Sequence, residues 1–82
     1  MATSFPGFDR ITVDPDILVG KPTVRGTRLA VERVLDVLAQ NPSWDDLRAD
    51  YPDLEPEDIR QVLRFAAASL ADRVLPFDSS AA

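Results

Sequence analysis

With 82 residues, no cysteine, no histidine and a net charge of -5, the chain is bounded to one small soluble domain, whose thin core leaves room for self-association or a partner. The missing residue types exclude disulfides, thiol nucleophiles, zinc fingers and imidazole acid-base chemistry together, so an enzyme would have to run on carboxylates or hydroxyls. The negative total argues against a general nucleic-acid coat, and the lack of an apolar span or a basic leader predicts a cytoplasmic protein with no membrane attachment.

Residues 1–9 have no periodicity and contain the Pro6-Gly7 turn, which predicts an irregular arm whose Phe5 and Phe8 are free to dock. Arg10-Ile11-Thr12-Val13 is β-prone and Asp14-Pro15-Asp16 ends it; Ile17-Leu18-Val19 is a short apolar connector. Gly20 to Val31 reads as a basic hairpin leading into a helix, with Arg25-Gly26 as its turn. Val31, Val34, Leu35 and Leu38 then repeat at helical spacing until Gln40-Asn41-Pro42 stops them. Asn41 fits a left-handed cap, whereas the following proline favours an extended residue.

Ser43 followed by Asp46 reads as an N-cap with an acid three residues on, opening a brief second helix with Trp44, Leu47 and Tyr51 toward the core. Pro56 with Glu57 and Asp58 opens the longest helix, in which Ile59, Val62, Leu63, Ala66, Ala67 and Leu70 form the apolar stripe and Glu57, Arg60, Gln61 and Arg64 another face. Beyond Arg73 the pattern dissolves, so residues 10–73 are the domain and 74–82 a tail with the apolar cluster Val74, Leu75 and Phe77. The fold class is mostly α: three helices preceded by a small β-hairpin, the last two helices spaced for a helix-turn-helix.

Charge is polarised along the chain. Lys21, Arg25, Arg28 and Arg33 face Glu32 alone, while eight acids between Asp36 and Asp58 face only Arg48. The basic hairpin suits either a wing on the DNA backbone, with Lys21, Arg25 and Arg28 supplying charge and Thr23 and Thr27 hydroxyls, or a dimer-forming sheet edge. Neutralisation of the acidic middle is the equal alternative. Arg60, Gln61 and Arg64 match base edges or phosphates in a major groove, or else form a solvated face with Glu57. Asp45, Asp46 and Asp50, together with Val74, Leu75 and Phe77, are candidates for a basic protein partner, though acids at helix starts also favour the macrodipole. The acid pairs Asp14/Asp16, Asp45/Asp46 and Glu57/Asp58 lack an accompanying electrophile or metal triad, so no catalytic residue, metal or cofactor is expected.

Arg10-Ile11, Gly20-Lys21-Pro22, Arg25-Gly26-Thr27-Arg28, Tyr51-Pro52-Asp53-Leu54 and Asp58-Ile59-Arg60 together resemble the bacterial domain-of-unknown-function family 433 from Arg10 to about Arg73. The resemblance implies a homeodomain-like helix-turn-helix, assembled as a homodimer or higher oligomer, serving as the VapB-type antitoxin of a toxin-antitoxin pair. The implied partners are a PIN-like ribonuclease toxin and operator DNA. Three positions depart from the family pattern: Ala30 where proline is usual, Asn41-Pro42 in place of a glycine-containing link, and Glu55 in place of a threonine or serine cap. A stand-alone transcriptional regulator and an oligomerisation module are the other readings.

Overall fold

Pro6-Gly7 reverses the chain between two strands, with Gly7 at φ +83, a left-handed conformation that glycine adopts without steric cost. In the computed structural model, which describes residues 3–71, Thr3–Phe5 (β1) pairs antiparallel with Phe8–Val13 (β2), and Thr23–Val24 (β3) adds to the other side of β2 in the order β1-β2-β3. From Thr3 onward the arm expected to be irregular is therefore sheet: the edge strand β1, its turn and the first residues of β2. Its pattern was too short to read as a strand, but the aromatic rings anchor it: Phe65 receives Phe5 edge-on at 4.8 Å and Phe8 at 5.4 Å between ring centroids.

Between β2 and β3 the chain turns through Leu18, Val19 and Gly20, all at positive φ (50, 58 and 78). A β-branched residue is strained there, and the Val19 side chain is 93% exposed. The basic hairpin forms where expected: Val24 N–H donates to the Leu29 carbonyl at 2.9 Å, Thr23 bridges Ala30, and Gly26 takes φ +67 in the turn.

Three helices follow, Val31–Gln40 (α1), Trp44–Asp50 (α2) and Pro56–Ala71 (α3), and they hold about half of the described residues. Ala30 has no side chain to cap α1, and the Val31 N–H donates instead to the Pro22 carbonyl at 2.9 Å, tying the helix start to the hairpin. Asn41 is extended at φ -149, the conformation Pro42 favours. Ser43 Oγ accepts the Asp46 N–H at 3.2 Å as the N-cap of α2.

Ile11, Val24, Val31, Val34, Leu47, Leu54, Ile59 and Val62 make one buried cluster. The α3 stripe is narrower than expected. Ile59 and Val62 are buried and Ala66 half-buried, whereas Leu63, Ala67 and Leu70 are exposed. α3 packs on β2 as well as on α1, so its sheet-facing flank, Asp58, Gln61 and Phe65, is covered instead. Trp44, expected in the core, is exposed at the first turn of α2, while Leu47 is buried and Tyr51 half-buried. The tail with Val74, Leu75 and Phe77 lies outside the described residues.

Candidate interaction surfaces

The hairpin turn and the start of α3 meet at a four-charge cluster. Glu55 Oε1 accepts from Arg10 Nη1 at 2.7 Å and from Arg25 Nη2 at 2.6 Å. Asp58, 1% exposed, takes Arg10 Nη1 on Oδ1 at 3.3 Å and the Glu55 N–H on Oδ2 at 2.8 Å. The last bond is half of a capping box, with the acid three residues into the helix reaching back to the cap residue. Burying a carboxylate is costly unless charge and hydrogen bonds compensate it, and Arg10 and Arg25, its Nε at 3.8 Å, supply that charge.

The proposed DNA-contacting residues are thus drawn largely into the protein itself. Lys21 Nζ pairs with Glu32 Oε1 at 2.6 Å, and Arg25 belongs to the cluster above. Thr23 is buried against Thr12, and Thr27 Oγ1 donates to the Val24 carbonyl at 2.7 Å while accepting the Leu29 N–H, which fixes the turn. Gln61, 8% exposed, has its whole amide engaged inside the protein: its Nε2 donates to Asp9 and Glu57, and its Oε1 accepts the Arg10 N–H at 3.0 Å. Helical periodicity placed Gln61 outside because it could not anticipate the sheet on that flank. Arg60 grips both oxygens of Glu57, at 2.7 and 2.8 Å. The Arg60 bond, then the Gln61 bond, holds the Glu57 carboxyl down at about 2, against an ordinary 4.5. Arg28 and Arg64 remain exposed with no acidic partner among the described residues. β3 is two residues long and Thr23 is bridged by both Thr12 and Ala30, so the hairpin presents no long bare edge.

On α2 the balance is reversed. Asp45, Asp46 and Asp50, with Asp53 beyond them, are exposed and have no cationic partner among the described residues; the Asp46 carboxylate accepts from the neutral Asn41 Nδ2 at 2.8 Å. Trp44, 39% exposed, stands beside them. Asp50 and Asp53 also line a shallow cleft of about 350 Å³ with Arg28, Tyr51 and Pro52. Arg48 is bound elsewhere, its Nε donating to the Leu54 carbonyl at 3.1 Å across the link to α3. Sequence reasoning missed the roles of Arg10, Arg48 and Asp58. The three-residue spacing of Glu55 and Asp58 was the available signal, but their cationic partners are distant in sequence.

Among the described residues no three His, Cys, Asp or Glu side chains converge as a metal site, and no helix is long and apolar enough to cross a membrane. Residues 11–66 match the family model described as Protein of unknown function (DUF433). The chain belongs to the DUF433 family. This DUF433 chain is also 39% identical over 59 residues to the uncharacterized protein y4eO of Sinorhizobium fredii, an alignment covering 72% of the chain and 27% of that protein. It therefore spans about a quarter of that relative's length. No solved structure matches. The match includes the hairpin, all of α1 and α2 and most of α3, and with them three members of the charge cluster, Arg25, Glu55 and Asp58.

Proposed function

We propose that this DUF433 domain is the antitoxin of a type II toxin-antitoxin pair and masks a basic, PIN-like ribonuclease with its acidic α2 face. One observation carries the reading: among the described residues Asp45, Asp50 and Asp53 form no ion pair, whereas Lys21, Arg25 and Arg60 do. Unpaired exposed acids attract a basic surface and steer its approach. A nuclease channel that holds a polyanion is such a surface, and covering it blocks the substrate. The domain works by binding, with no reaction of its own.

The reading expects a short adjacent reading frame that encodes a carboxylate-rich nuclease, and co-expression with that frame's product tests it. The expected result is relief of growth arrest and a complex that co-purifies, with Asp45→Lys/Asp50→Lys weakening both. Persistent arrest with no complex would refute the antitoxin reading.

A weaker DNA-binding role, contributing to autorepression, draws support from exposed Arg28 and Arg64. α2 and α3 would serve as a homeodomain-like helix-turn-helix, although the link of residues 51–55 is longer than the usual three to four residues of that motif. In a salt series on a promoter fragment, Arg28→Ala or Arg64→Ala should each lower the slope of log affinity by about one. Unchanged slopes would remove both residues from any DNA interface.

A further inference from the structure

The apolar stripe of α3 outlasts the core beneath it. Ile59 and Val62 are buried, whereas Leu63, Ala67 and Leu70 further along are exposed, Leu70 at 56%, although solvated helix faces are ordinarily polar. Where the first turns of α1 flank the last turns of α3 they leave a groove of about 400 Å³, lined by Pro22, Val31 and Leu35 on one side and Phe65, Ala66 and Leu70 on the other. The polar groups that also line it are already engaged. Lys21 and Glu32 pair with each other at 2.6 Å, and Ser69 Oγ donates to the Phe65 carbonyl at 2.8 Å. The groove therefore suits an apolar, uncharged occupant better than a polyanion or a basic side chain.

Such an occupant follows within a few residues in the same chain. Ala71 is succeeded by Asp72-Arg73-Val74-Leu75-Pro76-Phe77, an apolar cluster beyond the end of the helical pattern. Pro76 biases Leu75 toward the extended conformation. In an extended segment residues two apart share a side and stand roughly 6.6 Å apart. Ala66 and Leu70, one turn apart on the groove wall, are separated by about 6 Å along α3. Leu75 and Phe77 thus match the repeat of the groove. Reach is sufficient as well, because a four-residue reversal over 71–74 aims the segment back along α3 and sets Leu75 near Leu70 and Phe77 toward Ala66.

We infer that the groove between α1 and α3 is the docking site of the chain's own segment 74–77, with Leu75 and Phe77 as its anchors. A segment tethered this closely is presented at an effective concentration on the order of millimolar. A contact too weak to hold a free peptide is then still occupied in about half of the molecules or more. A separate apolar segment at lower concentration has to displace it, which is why the chain's own residues are the occupant. The same competition acts in the other direction. Any partner that takes Leu75 and Phe77 must first draw them out of the groove, so the groove controls how far this apolar cluster is offered. The inference is independent of the antitoxin reading, because it uses neither α2 nor any nuclease.

Nuclear Overhauser spectra of the full 82-residue chain test the inference. The Phe77 ring protons should contact the methyl groups of Leu35 and Leu70, with intensities unchanged between about 50 µM and about 1 mM. In a mixture of labelled and unlabelled chains these contacts should stay within one chain. Phe77→Asp should shift the Leu35 and Leu70 methyl resonances, and Leu70→Glu should abolish the Phe77 contacts. Each variant should speed amide exchange in the last two turns of α3 by about twofold or more and leave α2 unchanged. Leu70 is exposed and Phe77 lies outside the described residues, so both variants should keep the circular dichroism of the parent. Absence of contacts between residues 74–77 and the groove overturns the inference, as do Leu35 methyl shifts indifferent to Phe77→Asp. Contacts found only between chains would give the groove to a second copy and refute docking within one chain.

Discussion

Replacing Asp58 with alanine isolates the contribution of a fully buried acid that joins the sheet to α3. Two good interactions disappear: the bond from the Glu55 N–H at 2.8 Å and the bond from Arg10 Nη1 at 3.3 Å. The Arg25 Nε contact at 3.8 Å is too long for a hydrogen bond and adds little. Loss of a helix-start cap costs about 1 kcal/mol. Loss of a hydrogen bond to a charged group costs about 1.5–3 kcal/mol, and the low end applies because Arg10 keeps Glu55 and is partly open to water. The expected destabilisation is about 2–3 kcal/mol, a melting drop of roughly 10–20 °C for a domain of this size. Asp58→Asn, which preserves an acceptor for the cap, should lose about half as much. Glu55→Ala should lose no more than about 1 kcal/mol, as expected for an exposed ion pair. Urea unfolding followed by circular dichroism measures all three. If Asp58→Ala is no worse than Glu55→Ala, the burial of Asp58 does not organise the junction and the reasoning fails.

The Glu57 carboxyl should titrate at about 2 by NMR, and Arg60→Ala should move it up toward 4.5. Because its folded value is depressed, the stability it contributes is present above its ordinary value and is lost as pH falls through the folded one; an acid titration in which Arg60→Ala and the parent lose stability over the same range would contradict this. Val19→Gly should stabilise the domain by up to about 1 kcal/mol in urea unfolding, since it relieves a left-handed β-branched residue and removes no core contact; a destabilised variant would mean the turn is not strained. Phe65→Ala should cost about 2–3 kcal/mol, less than for a fully buried ring, and should speed amide exchange in β1 more than in α2. Equal exchange changes in both would show that Phe65 does not anchor that strand in particular.

The helical half was legible because its signals are local. Val31, Val34, Leu35 and Leu38 mark α1, Asn41-Pro42 ends it, Ser43 with Asp46 opens α2, and Pro56 opens α3, all within a few residues of the elements they specify. Gly26 likewise announced its own turn. What escaped depends on contacts distant in sequence. β1 is three residues long and holds its place through Phe65, and Gln61 is buried because Asp9 and Arg10 lie over it. The polarity of the two halves was readable, but the pairing of Arg25 with Glu55 joins residues 30 positions apart. A list of charges did not say which cations the fold would consume, and this moved the weight of the candidate site from the hairpin to α2.

The bonds from Gln61 to Asp9 and from Arg10 to Gln61 close loops of 52 and 51 residues. Closing so long a loop carries an entropic penalty before any contact compensates it, and contacts of that span slow folding. During synthesis the first two strands therefore have no aromatic platform until Phe65 has left the ribosome. Until then the nascent chain keeps Phe5 and Phe8 without the ring they pack on, which makes α3 the element whose emergence permits the first strands to close onto the domain.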